Sequence, residues 1–341
     1  MPYRPFGRTG VKVSSLALGT MMFGQRGNPD HDDSVRIIRH AVDAGINLVD
    51  TADVYSQGES EVIVGKALKG RRDDVFLATK FHGRMGEGVN RFGNSRRWIF
   101  QEVEHSLTRL QTDWIDLYQV HRPEDDTDVD ETLGALSDLV HQGKIRYLGT
   151  STFEPSGIVE AQWVAERRGR ERPVAEQPPY SLLARGIERE VLPTAQRYDL
   201  AVIPWSPLAG GWLTGRFRAG GPQPSSSRSG SQPSRFDIAA PENAAKLEAV
   251  EALSELADQA GLSLIHLALA FVLGHPAVTA PIIGPRTLEQ LESQLGAADL
   301  RLSPDVLDAI DKIVPPGINL SERDAGYQPP SLVDPSRRRR G

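Results

Sequence analysis

Four side chains of this 341-residue sequence could together manage a proton: Asp50, Tyr55, Lys80 and His121. A free phenol, with a pKa near 10, is a reluctant acid at neutral pH. An ammonium against its hydroxyl favours the phenolate and makes the proton easier to give up. A carboxylate paired with that ammonium keeps it charged and fixes its place. An imidazole nearby can hydrogen-bond and orient a carbonyl oxygen. Such a set offers no strong nucleophile for acyl or phosphoryl transfer. It suits protonation of a carbonyl oxygen while something else attacks the carbon.

Each residue alone has an ordinary explanation. An Asp at a strand end usually caps the next helix, and a Lys after Phe-Leu-Ala-Thr is commonly a solvated strand end. A lone Tyr can sit with its hydroxyl in water. What favours chemistry is that all four fall at the ends of successive apolar, β-branched runs. Those runs are 16–19, 47–51, 75–81, 115–121, 145–151, 175–180, 200–205 and 281–284. Asp50 ends the second, with Tyr55 in the loop after it; Lys80 ends the third and His121 the fourth. Ser151 and Thr152 follow the fifth, Gln177 and Tyr180 the sixth, Trp205 and Ser206 the seventh.

Between the runs, apolar residues recur at helical spacing, as in Val35, Ile38, Ala41 and Val42, or Leu247, Val250, Leu253 and Leu256. Gly45, Gly143 and Gly261 stop three of these helices. Strand–helix alternation implies a parallel sheet. Eight runs, most of them about 25 to 35 residues apart, predict an α/β fold of the (β/α)8 TIM-barrel type, one domain over 1–341. A doubly wound sheet would place G-x-G-x-x-G after its first strand, but Gly19-Thr-Met-Met-Phe-Gly24 stands there. Three segments lie outside the repeat. An N-terminal β-hairpin is expected over 1–15, plugging the bottom of the barrel. A Gly/Ser/Pro-rich loop over 210–240, after the seventh strand, has little apolar area to bury. A solvated tail over 315–341 ends in the arginines at 337–340.

Other chemistries and classes fail on the same residues. With no cysteine there is no thiolate nucleophile and no Cys-bound metal. The eight histidines contain no H-x-H or H-x-x-x-H pair, so no metal is expected. A retaining glycosidase needs two facing carboxylates, whereas His121 and Trp205 occupy the fourth and seventh exits. No G-x-S-x-G elbow is present. The net charge of −6, from 39 basic and 45 acidic residues, disfavours nucleic acid as a partner. The longest apolar stretch, 264–273, is interrupted by His266 and far short of a bilayer span. The opening residues lack the apolar core of a secretory signal. A soluble, cytoplasmic protein acting on a small molecule is expected.

At this point the strings become recognisable. Asn47-Leu-Val-Asp-Thr-Ala-Asp-Val-Tyr55 with Ser60-Glu61 and Gly65 resembles the opening signature of the aldo-keto reductase superfamily. Ala78-Thr-Lys80, Asp116-Leu-Tyr-Gln-Val-His121 and Gly143-Lys-Ile-Arg-Tyr-Leu-Gly-Thr-Ser151 continue it. Trp205-Ser-Pro-Leu-Ala-Gly210, Leu213-Thr-Gly215, Ile283-Gly-Pro-Arg286 and Glu289-Gln-Leu291 complete it, over roughly 3–313. The resemblance is to bacterial branches near the potassium-channel β subunits and the sugar-nucleotide reductases.

The resemblance implies reduction of an aldehyde or ketone to an alcohol, with hydride from NADPH and a proton from Tyr55. Lys80 and Asp50 would tune Tyr55, and His121 would orient the carbonyl. Ser151 and Gln177 would hold the nicotinamide carboxamide, with Trp205 stacked on its ring, and Gly19 and Thr20 would also bind the cofactor. Ser206, Pro207, Leu208, Gly210 and Leu213 would line the pyrophosphate path, and Arg216, Arg218 and Arg228 could close on the phosphates as a clasp. Gly284, Arg286 and Gln290 fall where the family meets the 2′-phosphate, and Gln294 near the adenine. Thr152 stands where many members carry Asn. Gly284-Pro285 replaces a Lys-Ser pair, leaving Arg286 as the main cation; its guanidinium suits a phosphate through bidentate bonding. Phe23, Val54, Phe81 and Arg122, with Met22, His82 and Trp98, are the expected substrate walls. A nucleotide-sensing subunit or an inert scaffold would have no need of the intact proton-donating set.

Overall fold

The computed structural model describes residues 1–224, 230 and 232–339. A two-stranded antiparallel hairpin, β1 (Tyr3–Pro5) and β2 (Lys12–Ser14), precedes eight parallel strands. These are β3 (Ala17–Gly19), β4 (Leu48–Asp50), β5 (Phe76–Phe81), β6 (Ile115–Val120), β7 (Ile145–Ser151), β8 (Ala175–Gln177), β9 (Ala201–Val202) and β10 (Ile282–Ile283). All eight expected runs form strands, paired in the order β10-β3-β4-β5-β6-β7-β8-β9. The remaining seam is joined by the backbone. Thr279 N donates to Val202 O at 2.8 Å, and Ile282 N donates to Pro204 O at 2.8 Å. The sheet is thus curled into a (β/α)8 barrel.

Alternation along each strand divides the core in two. On β5, Phe76 and Ala78 face the barrel interior with Leu48, Leu117 and Ala175. Leu77 and Phe81 face outward, into the layer shared with the surrounding helices. Those helices are α1 (His31–Asp43), α2 (Glu59–Leu68), α3 (Arg96–Leu110), α4 (Val129–His141), α5 (Pro155–Arg168), α6 (Val191–Arg197), α7 (Ala244–Gln259), α8 (Leu264–Gly274), α9 (Leu288–Leu295) and α10 (Pro304–Ile313). Side-chain caps start several: Asp30 accepts from Asp33 N, Ser95 from Trp98 N and Ser263 from His266 N. No single described helix is long and apolar enough to cross a membrane.

The hairpin closes the N-terminal end of the barrel, as expected. Phe6 is fully buried, its ring 4.7 Å from that of Phe76. Arg8 reaches Tyr198 O at 2.8 Å and Pro173 O at 2.9 Å, which ties the turn to the chain entering β8 and β9. Gly7 has φ +50°, and a Cβ there would lie 2.6 Å from Asp199 O, so the approach admits only glycine.

Two segments differ from expectation. The loop over 210–240 does carry apolar anchors. Trp212 and Phe217 stack at 4.2 Å, Phe236 lies 6.5 Å further on, and all three are buried. Glycine and serine content masked these three aromatic residues. The C-terminal segment is no free tail over 317–327. Arg185 N donates to Ile318 O, Leu320 N donates to Leu183 O, and Gly186 N donates to the Asn319 side chain, at 2.9, 3.0 and 2.8 Å. Arg337 reaches Asp125 at 3.4 Å. Arg228 and Arg340 lie outside the described residues.

Candidate active site

Lys80 occupies the inward position at the end of β5 and is fully buried. Its ammonium donates to Asp50 Oδ2 at 2.7 Å, Thr51 O at 2.7 Å and the Tyr55 hydroxyl at 3.4 Å. Burial opposes the charge, but the facing Asp50 and Tyr55 outweigh it and hold the ammonium above its usual range. The second oxygen of Asp50 accepts from Gln177 Nε2 at 2.9 Å and Gln119 Nε2 at 3.3 Å. Gln119, from β6, had not been singled out in the sequence. It lies two residues before His121, and that parity places it in the barrel interior.

Tyr55 stands on a tight turn after β4. Its N–H donates to Ala52 O at 3.2 Å, and the next two residues, Ser56 and Gln57, have φ of 49° and 55°. That left-handed pair reverses the chain, leaving the ring 9 % exposed at the barrel mouth. The His121 ring meets it edge-on, centroids 5.9 Å apart. Burial, with Lys80 and Arg122 nearby, pushes the imidazole well below its usual range, so it is neutral at pH 7.

Behind this turn lies a cluster of buried carboxylates around a half-buried guanidinium, which no local motif marks. Arg109 donates to Glu61 at 2.6 Å and Glu102 at 2.5 Å, and Thr79 Oγ1 donates to Glu61 at 2.6 Å. Asp53 accepts from Val54 N at 2.6 Å, bracing the residue before Tyr55. Burial, with Glu61 and Glu102 nearby, pushes its carboxyl well up.

The expected cofactor residues other than Leu213, whose side chain is buried in the core, fall at or after strand ends along one rim. Ser151 Oγ donates to Gln177 O at 2.9 Å, and Thr20 Oγ1 to Asp50 O at 3.2 Å, beside the buried strand-end Gly19. Trp205 and Ser206 are half-buried after β9, Ser206 with φ 56°. Leu208 and Gly210 are half-buried too, while Pro207 and Leu213 are buried, Leu213 with its side chain in the core. Across the seam, Arg286 N donates to Gln290 Oε1 at 2.8 Å. Gln294 Nε2 donates to Gln290 O at 2.6 Å. A Cβ on Gly284 would meet nothing within 4 Å, and Arg286 makes no ion pair among the described residues. The intended clasp cations are partly engaged: Arg216 donates to Thr214 Oγ1 at 3.1 Å, and Arg218 pairs with Glu251 at 3.3 Å.

The substrate walls are only partly as expected. Val54 and Arg122 are half-buried at the mouth, where Arg122 donates to His121 O at 2.7 Å and Thr152 Oγ1 at 3.4 Å. His82 is half-buried and Met22 buried. Phe23, Phe81 and Trp98 are not walls, being fully buried. Phe81 packs outward on Tyr118 at 4.9 Å in the core between strands and helices, which also holds Phe23. Trp98 lies on the buried face of α3.

A nicotinamide nucleotide suits the chemistry of this rim. The Gln294 Oε1 atom is a buried acceptor with no partner, as an exocyclic amine would require. The half-buried Trp205 offers a π-face, and the Arg286 guanidinium is not committed to a carboxylate.

The model of the Aldo/keto reductase family matches residues 15–315. The chain belongs to the aldo/keto reductase family. Its relatives in the family include the uncharacterized oxidoreductase YrpG of Bacillus subtilis. That protein is 40 % identical over 326 residues, which cover 92 % of this chain and 96 % of the relative. A candidate voltage-gated potassium channel subunit beta of Schizosaccharomyces pombe is 34 % identical, covering 92 % and 93 %. Versiconal hemiacetal acetate reductase of Aspergillus parasiticus is 33 % identical, covering 95 % and 100 %. Membership of this reductase family supports an oxidoreductase that uses a nicotinamide cofactor on a small carbonyl substrate.

Proposed function

We propose that the protein is an NADPH-dependent carbonyl reductase in which Tyr55 gives the proton. The observation that carries this reading is the buried Asp50–Lys80–Tyr55 chain, with a neutral imidazole beside the phenol. Ser151, Gln177 and Trp205 would hold the reduced nicotinamide, which when bound would supply a hydride to a carbonyl carbon. His121 donates a hydrogen bond that holds the carbonyl oxygen toward Tyr55. Tyr55 passes its proton to that oxygen, and Lys80 stabilises the phenolate left behind. Asp50, held by two amides, keeps the ammonium charged and in place. Arg286 favours the 2′-phosphorylated nucleotide, because a guanidinium pairs with phosphate through two parallel bonds. Arg216 and Arg218, on the described part of the loop after β9, close on the phosphates, and the fold acts as one unit in a soluble, cytoplasmic protein.

Oxidation of NADPH, followed at 340 nm with a panel of aldehydes and ketones, tests the reading. Turnover that depends on the carbonyl compound is expected. Tight NADPH binding with no turnover across the panel would show a nucleotide-binding subunit instead.

A further inference from the structure

The C-terminal segment crosses the barrel mouth at the ring assigned to the nicotinamide. A Cβ on Gly326 would stand 3.1 Å from Trp205 Cζ2, 3.1 Å from Thr152 Cγ2 and 3.2 Å from Pro179 Cγ. At φ +90° the residue is one that side chains rarely suit. Its backbone therefore lies directly against the indole edge.

Two residues earlier, Asp324 is 5 % exposed and shared by two cations. Arg235 Nε donates to its Oδ1 at 2.6 Å, and Lys246 Nζ donates to its Oδ2 at 3.2 Å. Lys246 lies on α7 with no exposed surface, also donates to Arg235 O at 3.1 Å, and sits 4.7 Å over the Trp212 ring. Trp212 Nε1 in turn donates to Arg235 O at 3.4 Å. Burial pushes the Lys246 ammonium down while Asp324 opposes the shift. Arg235 and Trp212 belong to the chain that leaves β9 after Trp205 and Ser206. One buried carboxylate therefore joins the C-terminal segment to the loop beside the proposed cofactor rim. Asp324 is the one counter-charge of Lys246 among the described residues, and a buried cation tolerates little displacement of its partner.

We propose that Asp324 is a positioning residue of the nicotinamide site. It clamps the C-terminal segment to the β9 loop, so that Gly326 backs the Trp205 ring and segment and loop release the nucleotide together. The clamp rests on the reading that Trp205 stacks on the nicotinamide.

Stopped-flow tryptophan fluorescence on the full chain gives the NADPH release rate. Adenosine 2′-monophosphate, which reaches the Arg286–Gln294 end but carries neither a 5′-phosphate nor a nicotinamide, is the control ligand. D324N is expected to release NADPH roughly tenfold faster or more. Its affinity for the monophosphate should change by no more than about twofold, since that ligand carries neither the ring assigned to Trp205 nor the phosphates assigned to the loop. G326A, which alters the Trp205 contact and leaves the ion cluster alone, should change NADPH release with the same spared control. R235Q removes one donor only and should give a smaller acceleration, which keeps the test alive if D324N does not fold. Equal weakening of both ligands would reduce Asp324 to a general structural role and overturn the proposal. Unchanged NADPH release in D324N, or in R235Q if D324N does not fold, would overturn it too. A wild-type chain that binds the monophosphate but not NADPH would overturn the cofactor reading, and the clamp with it.

Discussion

Replacing Lys80 with methionine should separate what the ammonium does for the fold from what it does for Tyr55. Lys80 is fully buried, and its three bonds end on Asp50, Thr51 O and Tyr55. Removing one partner of a buried ion pair costs about 3–5 kcal/mol, because the other charge stays buried. Asp50 would keep its amide donors, Gln177 at 2.9 Å and Gln119 at 3.3 Å, so the lower end of that range applies, about 3 kcal/mol. The Lys80 ammonium is held above its usual range. The stability it contributes is therefore fully present at neutral pH and is lost only as pH rises through that raised value. Urea unfolding at pH 7 measures the loss. Adding Asp50→Leu to Lys80→Met should recover part of it, since an apolar pair needs no counter-charge. Turnover should fall by about 10²- to 10⁴-fold in the single variant and not return in the double. A single variant within about 0.5 kcal/mol of wild type would refute the reasoning, because surface substitutions alone give values that small. So would recovery of activity in the double variant.

Arg286→Ala should weaken NADPH by about 1.5–3 kcal/mol, or roughly ten- to a hundredfold, and leave NADH nearly unchanged in fluorescence titration. Equal loss for both cofactors would show that Arg286 does not read the 2′-phosphate. Burial pushes Glu176 up to about 7, partly offset by bonds from Thr150 and Phe153 N. A folded-state carboxyl raised above its unfolded value stabilises at low pH, and that contribution fades between pH 4.5 and 7, by roughly 3 kcal/mol. Glu176→Gln should flatten this part of the urea-unfolding profile; an unchanged slope would place its origin elsewhere. Limited proteolysis within 210–240 should slow under saturating NADPH, whereas an unchanged rate would mean that the loop is not a clasp.

The barrel was legible because each strand is a short, β-branched run with a helical period after it, and nothing tertiary had to override that pattern. The proton-donating set was legible because barrel chemistry gathers at strand exits, where four unusual residue types stood in order. Errors arose where neighbours in sequence were treated as neighbours in space. Lys80 points into the barrel, so Phe81 must point out, and strand parity alone would have moved it from the pocket wall to the core. Parity would likewise have promoted Gln119. The Arg109–Glu61–Glu102 cluster and the Asp324 clamp carry no local signal. Arg109 and Glu102 lie seven residues apart on α3, but Glu61 joins them only after packing, from 41 and 48 residues away, as Lys246 and Arg235 join Asp324 from 78 and 89.

Tyr55→Phe removes only the hydroxyl proposed to supply the proton, because the ring that meets His121 at 5.9 Å is retained. Steady-state carbonyl reduction and NADPH titration are measured on the same preparation. The expected result is a fall in kcat of about 10²- to 10⁴-fold with NADPH affinity nearly unchanged. A variant that keeps more than about half of the wild-type kcat would contradict it, since general acid–base groups contribute far more than that.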